Sequence, residues 1–196
     1  MHWYELNKTL TAVEHEPDAD TAAVVLMTSD ELSHCALIAG LERTLHHTPQ
    51  ARDAKVCKAE VRSDCMAGTL VVPQSWKNGE ALRCGYLVTA RRVVLVDDTG
   101  VIESHLKHIM REKHAVNGGV GLFLYCFFEN LIAKDLHHLE EIEDRAQGLE
   151  DDVLSGRLDN FNTPMTRLRK ETMAYFRYYS QLDDVACELH ENENCF

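Results

Sequence analysis

Apolar positions in the last third of the chain recur in steps of three and four. From Ile132 they pass through Leu136, Leu139, Ile142, Ala146 and Leu149 to Val153; after a break, Phe161, Met165, Leu168, Tyr175, Tyr179, Leu182, Ala186 and Leu189 keep the same rhythm, with Thr172 in register. Such spacing holds one stripe on one side of a helix, so the pattern predicts two long helices, each with a single apolar seam. Gly156 can end the first in a left-handed conformation, and Thr163 followed by Pro164 supplies an N-cap and a first-turn proline for the second. A short turn there folds the pair back as an antiparallel hairpin. A first helix starting near Gly121 would have roughly 35 residues and span about 50 Å, so part of the hairpin is expected to project from the core.

Upstream the periodicity changes. Ala22 to Met27 is a short apolar run, and Ser29-Asp30-Glu31-Leu32 opens a helix expected to reach about Leu45, before His46-His47-Thr48-Pro49. Lys55 to Arg62 and Thr69 to Pro73 read as strands. Arg83 to Asp98 (RCGYLVTARRVVLVDD) predicts a β-hairpin turning at Thr89 to Arg92. Met1 to Val13 is expected to add a strand pair, and a short helix is expected over Glu103 to Lys113 before the Asn117-Gly118-Gly119 joint. The predicted fold is α/β (α+β): a mixed sheet layered with helices over 1–118, then two long antiparallel acidic helices over 119–196, packed on and projecting from the same domain.

Composition narrows the function. With 196 residues, 45% of them hydrophobic, the chain can bury one good core. Its formal charge of −12 is uneven, since residues 134–196 hold 15 Asp and Glu against 7 Lys and Arg. An acidic surface repels phosphate backbones and attracts cations, which argues against nucleic acid as a partner. Seven cysteines without a CxxC pair, in odd number, fit a reduced compartment. The longest apolar run, Val120 to Phe128, is under half of the ~20 residues of a membrane span. GxSxG, GxGxxG, P-loop and HExxH motifs are absent, so the chain is expected not to be an enzyme.

The ordered set of TLVVP, YLVTARRVVLVDD, GLFLYCFFENLI, HHLEEIEDRAQGLEDDVLSG and MTRLRKETMAYFRYYSQLDDVACEL resembles the cytoplasmic domain of the CorA-like magnesium transporters. The similar features are Leu139-Glu140, Ile142-Glu143 and Leu149-Glu150 on the first long helix, and Leu168-Arg169-Lys170 and Leu182-Asp183-Asp184-Val185 on the second. The resemblance covers about Gly68 to the end. In that family the chain continues into a stalk helix, two membrane spans and a Gly-Met-Asn motif, none of which occurs here, so the sequence is expected to be the soluble part of a longer protein. The resemblance implies a regulatory domain at the cytoplasmic face of the membrane, a ring of five copies, and the protein's own transmembrane part as partner.

Cation sensing is then the expected chemistry. Mg²⁺ prefers oxygen ligands, keeps much of its water and is often held by one or two carboxylates. The candidate residues are Glu150, Asp151 and Asp152 on the first helix and Asp183, Asp184 and Glu188 on the second; by the family resemblance alone, Asp53 is the nearest match to a sensing carboxylate that precedes the strands. Each acidic group also fits a merely solvated face. Adjacent histidines such as His137-His138 point about 100° apart on a helix and do not converge on one zinc ion, and the tyrosines at 175–179 fit a packing seam. Two other classes stay open: a metal-independent interaction or oligomerisation module, and a metal-dependent hydrolase, against which the exposed setting of the carboxylates argues.

Overall fold

A computed structural model describes residues 1–73, 82–112, 116, 119–133, 135–157 and 160–191. Seven strands form one sheet: β1 (His2–Leu6), β2 (Leu10–Val13), β3 (Ala23–Met27), β4 (Lys58–Val61), β5 (Met66–Val72), β6 (Leu82–Val88) and β7 (Arg92–Val96). The order is β2-β1-β3-β7-β6-β5-β4, antiparallel throughout except for the parallel β3–β7 pair at its centre. All the expected strands are present, and the 83–98 hairpin pairs Val88 with Val93 and Gly85 with Val96.

Alternation along β3 and β7 divides the core in two. Val24, Leu26, Val93 and Leu95 face a layer containing Ile102, Phe123, Phe127, Leu168 and Tyr175, all from helices. Val25, Met27, Val94 and Val96 face the other way, against Ile38, Leu41, Leu45 and Ala51. Each such side chain contributes about 1.5–3 kcal/mol when buried, so neither face of the central strands can be left open to water.

The helices are α1 (Ser29–His34), α2 (Val101–Glu112), α3 (Val120–Ile132), α4 (Asp135–Leu154) and α5 (Asn162–Glu191). Asp97 starts α2: its carboxylate accepts hydrogen bonds from the Thr99 and Ile102 N–H groups, each at 2.8 Å, and from the Thr99 hydroxyl at 2.6 Å. Asp98 accepts from the Ser29 N–H and hydroxyl, both at 2.7 Å, tying α1 to the end of β7.

Three expectations are corrected. The helix expected from Ser29 to Leu45 stops at His34, and a 3₁₀ turn follows only at Leu45–His47. Gly40 has φ +80°, off the helical path, and the Ala39 carbonyl accepts a hydrogen bond from the distant Arg92 Nε at 3.3 Å. The long helix expected from Gly121 is two helices, interrupted at Ala133; neither glycine nor proline marks the break, and the buried positions Phe127, Leu131, Asp135, His138 and Ile142 keep their phase across it. The second long helix begins two residues earlier than expected, at Asn162, so Thr163 and Pro164 both lie in its first turn, where proline is tolerated.

Arg92 fastens the loop layer. Its guanidinium, 1% exposed, donates to the Pro17 carbonyl at 2.9 Å, to that of Asp18 at 2.6 Å, to that of Thr21, and to Ala39. At the other end of the β6–β7 pair, opposite Val96, Gly85 admits the chain at Pro49, whose carbonyl would lie 1.9 Å from any Cβ there. Replacing Arg92 with Met would strand four carbonyls without their donor, at an expected cost of about 3 kcal/mol in urea unfolding. A loss below about 1 kcal/mol would show that water replaces the guanidinium freely.

Candidate functional site

The acidic tip of the hairpin is built by a helix ending. The Gly156 N–H donates to the Val153 carbonyl at 3.1 Å and the Arg157 N–H to that of Asp152 at 3.0 Å, the paired bonds of a Schellman motif, with Gly156 at φ +67°. The same turn swings the Arg157 guanidinium back onto Asp152, with Nη2 and Nε at 3.0 and 3.1 Å from Oδ1. One of the three tip carboxylates is therefore already paired. Glu150 and Asp151 are exposed, the Asp151 side chain making among the described residues only a 3.5 Å contact with the Gln147 amide.

On α5, Asp183, Asp184 and Glu188 are exposed. Their field acts on Cys187, whose thiol is pushed up chiefly by Asp183. Asp53, also exposed, sits in the 3₁₀ turn Ala51–Asp53, whose Ala51 packs in the loop-side layer, while the buried residues of α5 pack in the helix-side layer. Among the described residues no three His, Cys, Asp or Glu side chains converge as a metal cage. The candidate carboxylates thus stand as separate exposed sets, a geometry able to attract hydrated cations or to repel another acidic face.

Two features were not read from the sequence. The first is polar residues inside the α4–α5 seam. Buried positions on α5 are Leu168, Tyr175, Tyr178 and Val185, and on α4 Asp135, His138 and Ile142. The stripe expected on α4 is displaced: Leu136 is 69% and Val153 45% exposed, and on α5 Tyr178 and Val185 take the buried places expected for Tyr179 and Ala186. The tyrosines do pack as a seam, Tyr175 and Tyr178 meeting edge to face at 6.3 Å. The signal available was the heptad spacing of Asp135, His138 and Ile142 continuing to Arg145 and Leu149, opposite Leu168, Glu171 and Tyr175.

The second is a groove of about 880 Å³ between α3 and α5, lined mainly by Leu124, Phe128, Ile132, Tyr179, Leu182 and Leu189, with Glu129 and Asp183 also on its walls. Tyr125, on the same wall, is 63% exposed. None of the described helices is long and apolar enough to cross a membrane.

The left-handed residue under the tip gives a direct check. Open space surrounds Gly156, so Gly156→Ala tests backbone conformation alone; it should cost about 1 kcal/mol in thermal or urea unfolding. An unchanged stability would mean that the turn is not held in this form.

No sequence-family profile matches the chain, and no curated protein matches it by sequence. Solved structures do match by shape. The complete structure of the CorA magnesium transporter from Methanocaldococcus jannaschii superposes with a TM-score of 0.73 at 14% identity, over 97% of this chain and 62% of that one. The ZntB cytoplasmic domain from Vibrio parahaemolyticus gives 0.72 at 11% identity, over 99% and 80%. Full-length CmaX gives 0.68 at 12% identity, over 98% and 63%. The chain spans less than two thirds of the two full-length neighbours. Its seven-stranded mixed sheet, helical layer and long C-terminal helices are the fold of the CorA-type cytoplasmic domain.

Proposed function

We propose that this chain is the soluble regulatory domain of a CorA-type divalent-cation transporter, lying on the cytoplasmic side of the membrane and sensing Mg²⁺ or a similar ion through its acidic helix faces. The observation that carries the reading is the match of fold over 97–99% of the chain to a magnesium transporter and to the ZntB cytoplasmic domain. In this reading copies of the chain, five by the family resemblance, stand side by side and are joined to a membrane-spanning part. Hydrated cations offset the repulsion between Glu150, Asp151 and Asp152, or Asp183, Asp184 and Glu188, of adjacent copies; when the ion is withdrawn the copies separate and the pore is released. Asp53 is a further contact for such an ion. The dispersed, exposed carboxylates suit this outer-sphere role better than a closed site.

Binding to the folded state stabilises it by mass action. With a dissociation constant on the order of 1 mM, ~10 mM MgCl₂ should raise the melting temperature by roughly 3–5 °C over NaCl of equal ionic strength. Glu150→Gln, Asp151→Asn and Asp152→Asn together should remove that increment if the tip holds the ion, and Asp183→Asn, Asp184→Asn and Glu188→Gln together if α5 does. Equal melting temperatures in the two salts would refute a cation site within the chain.

A second reading, a metal-independent oligomerisation module, is favoured by the apolar groove. It predicts association in excess chelator, reversed by Tyr125→Asp. Sedimentation that shows a monomer in chelator at all concentrations would exclude it.

A further inference from the structure

The seam between α4 and α5 encloses an unbalanced set of charges. Glu171 of α5, its side chain 9% exposed, lies 3.0 Å from His138 Nε2 and 2.9 Å from Arg145 Nη2 of α4. Glu141 approaches the other ring nitrogen of His138, Oε2 standing 3.6 Å from Nδ1, so both edges of the imidazole face carboxylates. The Tyr175 ring lies against it, centroids 4.7 Å apart. One turn away, Asp135 is hydrogen-bonded to Tyr179, but its Oδ2 is buried with no hydrogen-bond partner among the described residues. Tyr178 and the buried Cys57 thiol close the floor, and Arg167 lines the same cleft as Arg145. Asp135 and Glu171 are thus buried in the seam, with Glu141 and the Arg145 guanidinium at its partly exposed rim, so negative charge is concentrated there and an added proton would reduce it.

We propose that the folded seam takes up that proton, with the buried Asp135 carboxyl as its seat, and that the packing of α4 on α5 is therefore a pH-sensitive joint, closed while the proton is held and loosened as it leaves. The buried Oδ2 of Asp135 is the atom with most to gain from it, because a carboxylate oxygen without a donor bears the whole desolvation cost of its charge. In the same direction, burial raises the Asp135 carboxyl above the ordinary aspartate range, and burial followed by the nearby Asp135 and Glu171 charges pushes the Tyr175 hydroxyl up to about 12. The sign follows: the folded state holds the proton more tightly than the unfolded chain, so the stabilisation is complete at low pH and lost as pH rises through the folded value. This inference goes beyond the regulatory reading and stands without any metal.

The test is the melting temperature of the 196-residue chain between about pH 5 and about pH 8, above the ordinary aspartate range. The unmodified chain should lose roughly 3–5 °C per unit of elevated proton affinity as pH rises. Eleven histidines contribute background, so the decisive comparison is with Asp135→Asn and Glu171→Gln, each of which leaves one carboxylate for Arg145 and should flatten the slope. An undiminished slope in both variants overturns the proposal. Should a variant fail to fold, NMR of the unmodified chain decides: the Asp135 carboxyl carbon should titrate above the ordinary aspartate range, and titration within that range overturns the proposal.

Discussion

Every side chain of β3 and β7 is withdrawn from water, and these two parallel strands lie at the centre of the sheet. A sheet whose central strands are apolar on both faces must be covered twice, and the rest of the chain is arranged around that requirement. Helices supply one cover. The other is a loop layer with little regular structure, whose backbone carbonyls need donors wherever it is buried. Arg92 provides them from the first position of β7, on the same strand face as Val94 and Val96. At the opposite end of β7, Asp97 and Asp98 start α2 and anchor α1. One strand therefore positions elements on both sides, and the acidic turn after it serves as structure, not as a ligand set.

The helical side solves a different problem. α5 is thirty residues long, and its buried residues alternate between apolar packing and the charged contacts of Glu171. Because the seam consumes one face of α4 and one of α5, the carboxylates at 150–152 and 183–188 are left pointing outward. That outward placement decides what chemistry they can do. Separate exposed carboxylates desolvate an ion poorly, so a cation that keeps its water is their natural partner, and their strongest effect is on another surface of like charge.

The strands were legible because two-residue alternation and turn chemistry agree: YLV, TARR and VVLV contain no competing signal. The hairpin was legible from Gly156 and the heptad-like spacing. Less was legible where tertiary contacts override local preference. Residues 35–44 have apolar spacing compatible with a helix, yet Ile38 and Leu41 reach the sheet from a loop whose Ala39 carbonyl is claimed by Arg92, a residue more than fifty positions away. The seam was misplaced because apolar residues alone were followed; Leu136 and Leu139 look like core, whereas Asp135 and His138 occupy it. Polar residues enter a seam only with partners from the other helix, and Glu171 becomes such a partner only once the two helices are set in register.

The two acidic sets are not equivalent, and the difference connects the groove to the carboxylates. At the tip, Arg157 cancels Asp152, so the local field is weaker than the run Glu150-Asp151-Asp152 suggests. On α5, Asp183 lies on a wall of the apolar groove, with Asp184 and Glu188 close by on the same helix, and no ion pair to any of the three occurs among the described residues. An apolar groove flanked by unpaired carboxylates favours contact through its floor and opposes an acidic partner at its edge. Cations that screen the edge would shift that balance without touching the floor. Under the proposed function the apolar surface would supply affinity and the carboxylates ion dependence, so that association and sensing would be the attractive and repulsive halves of one contact.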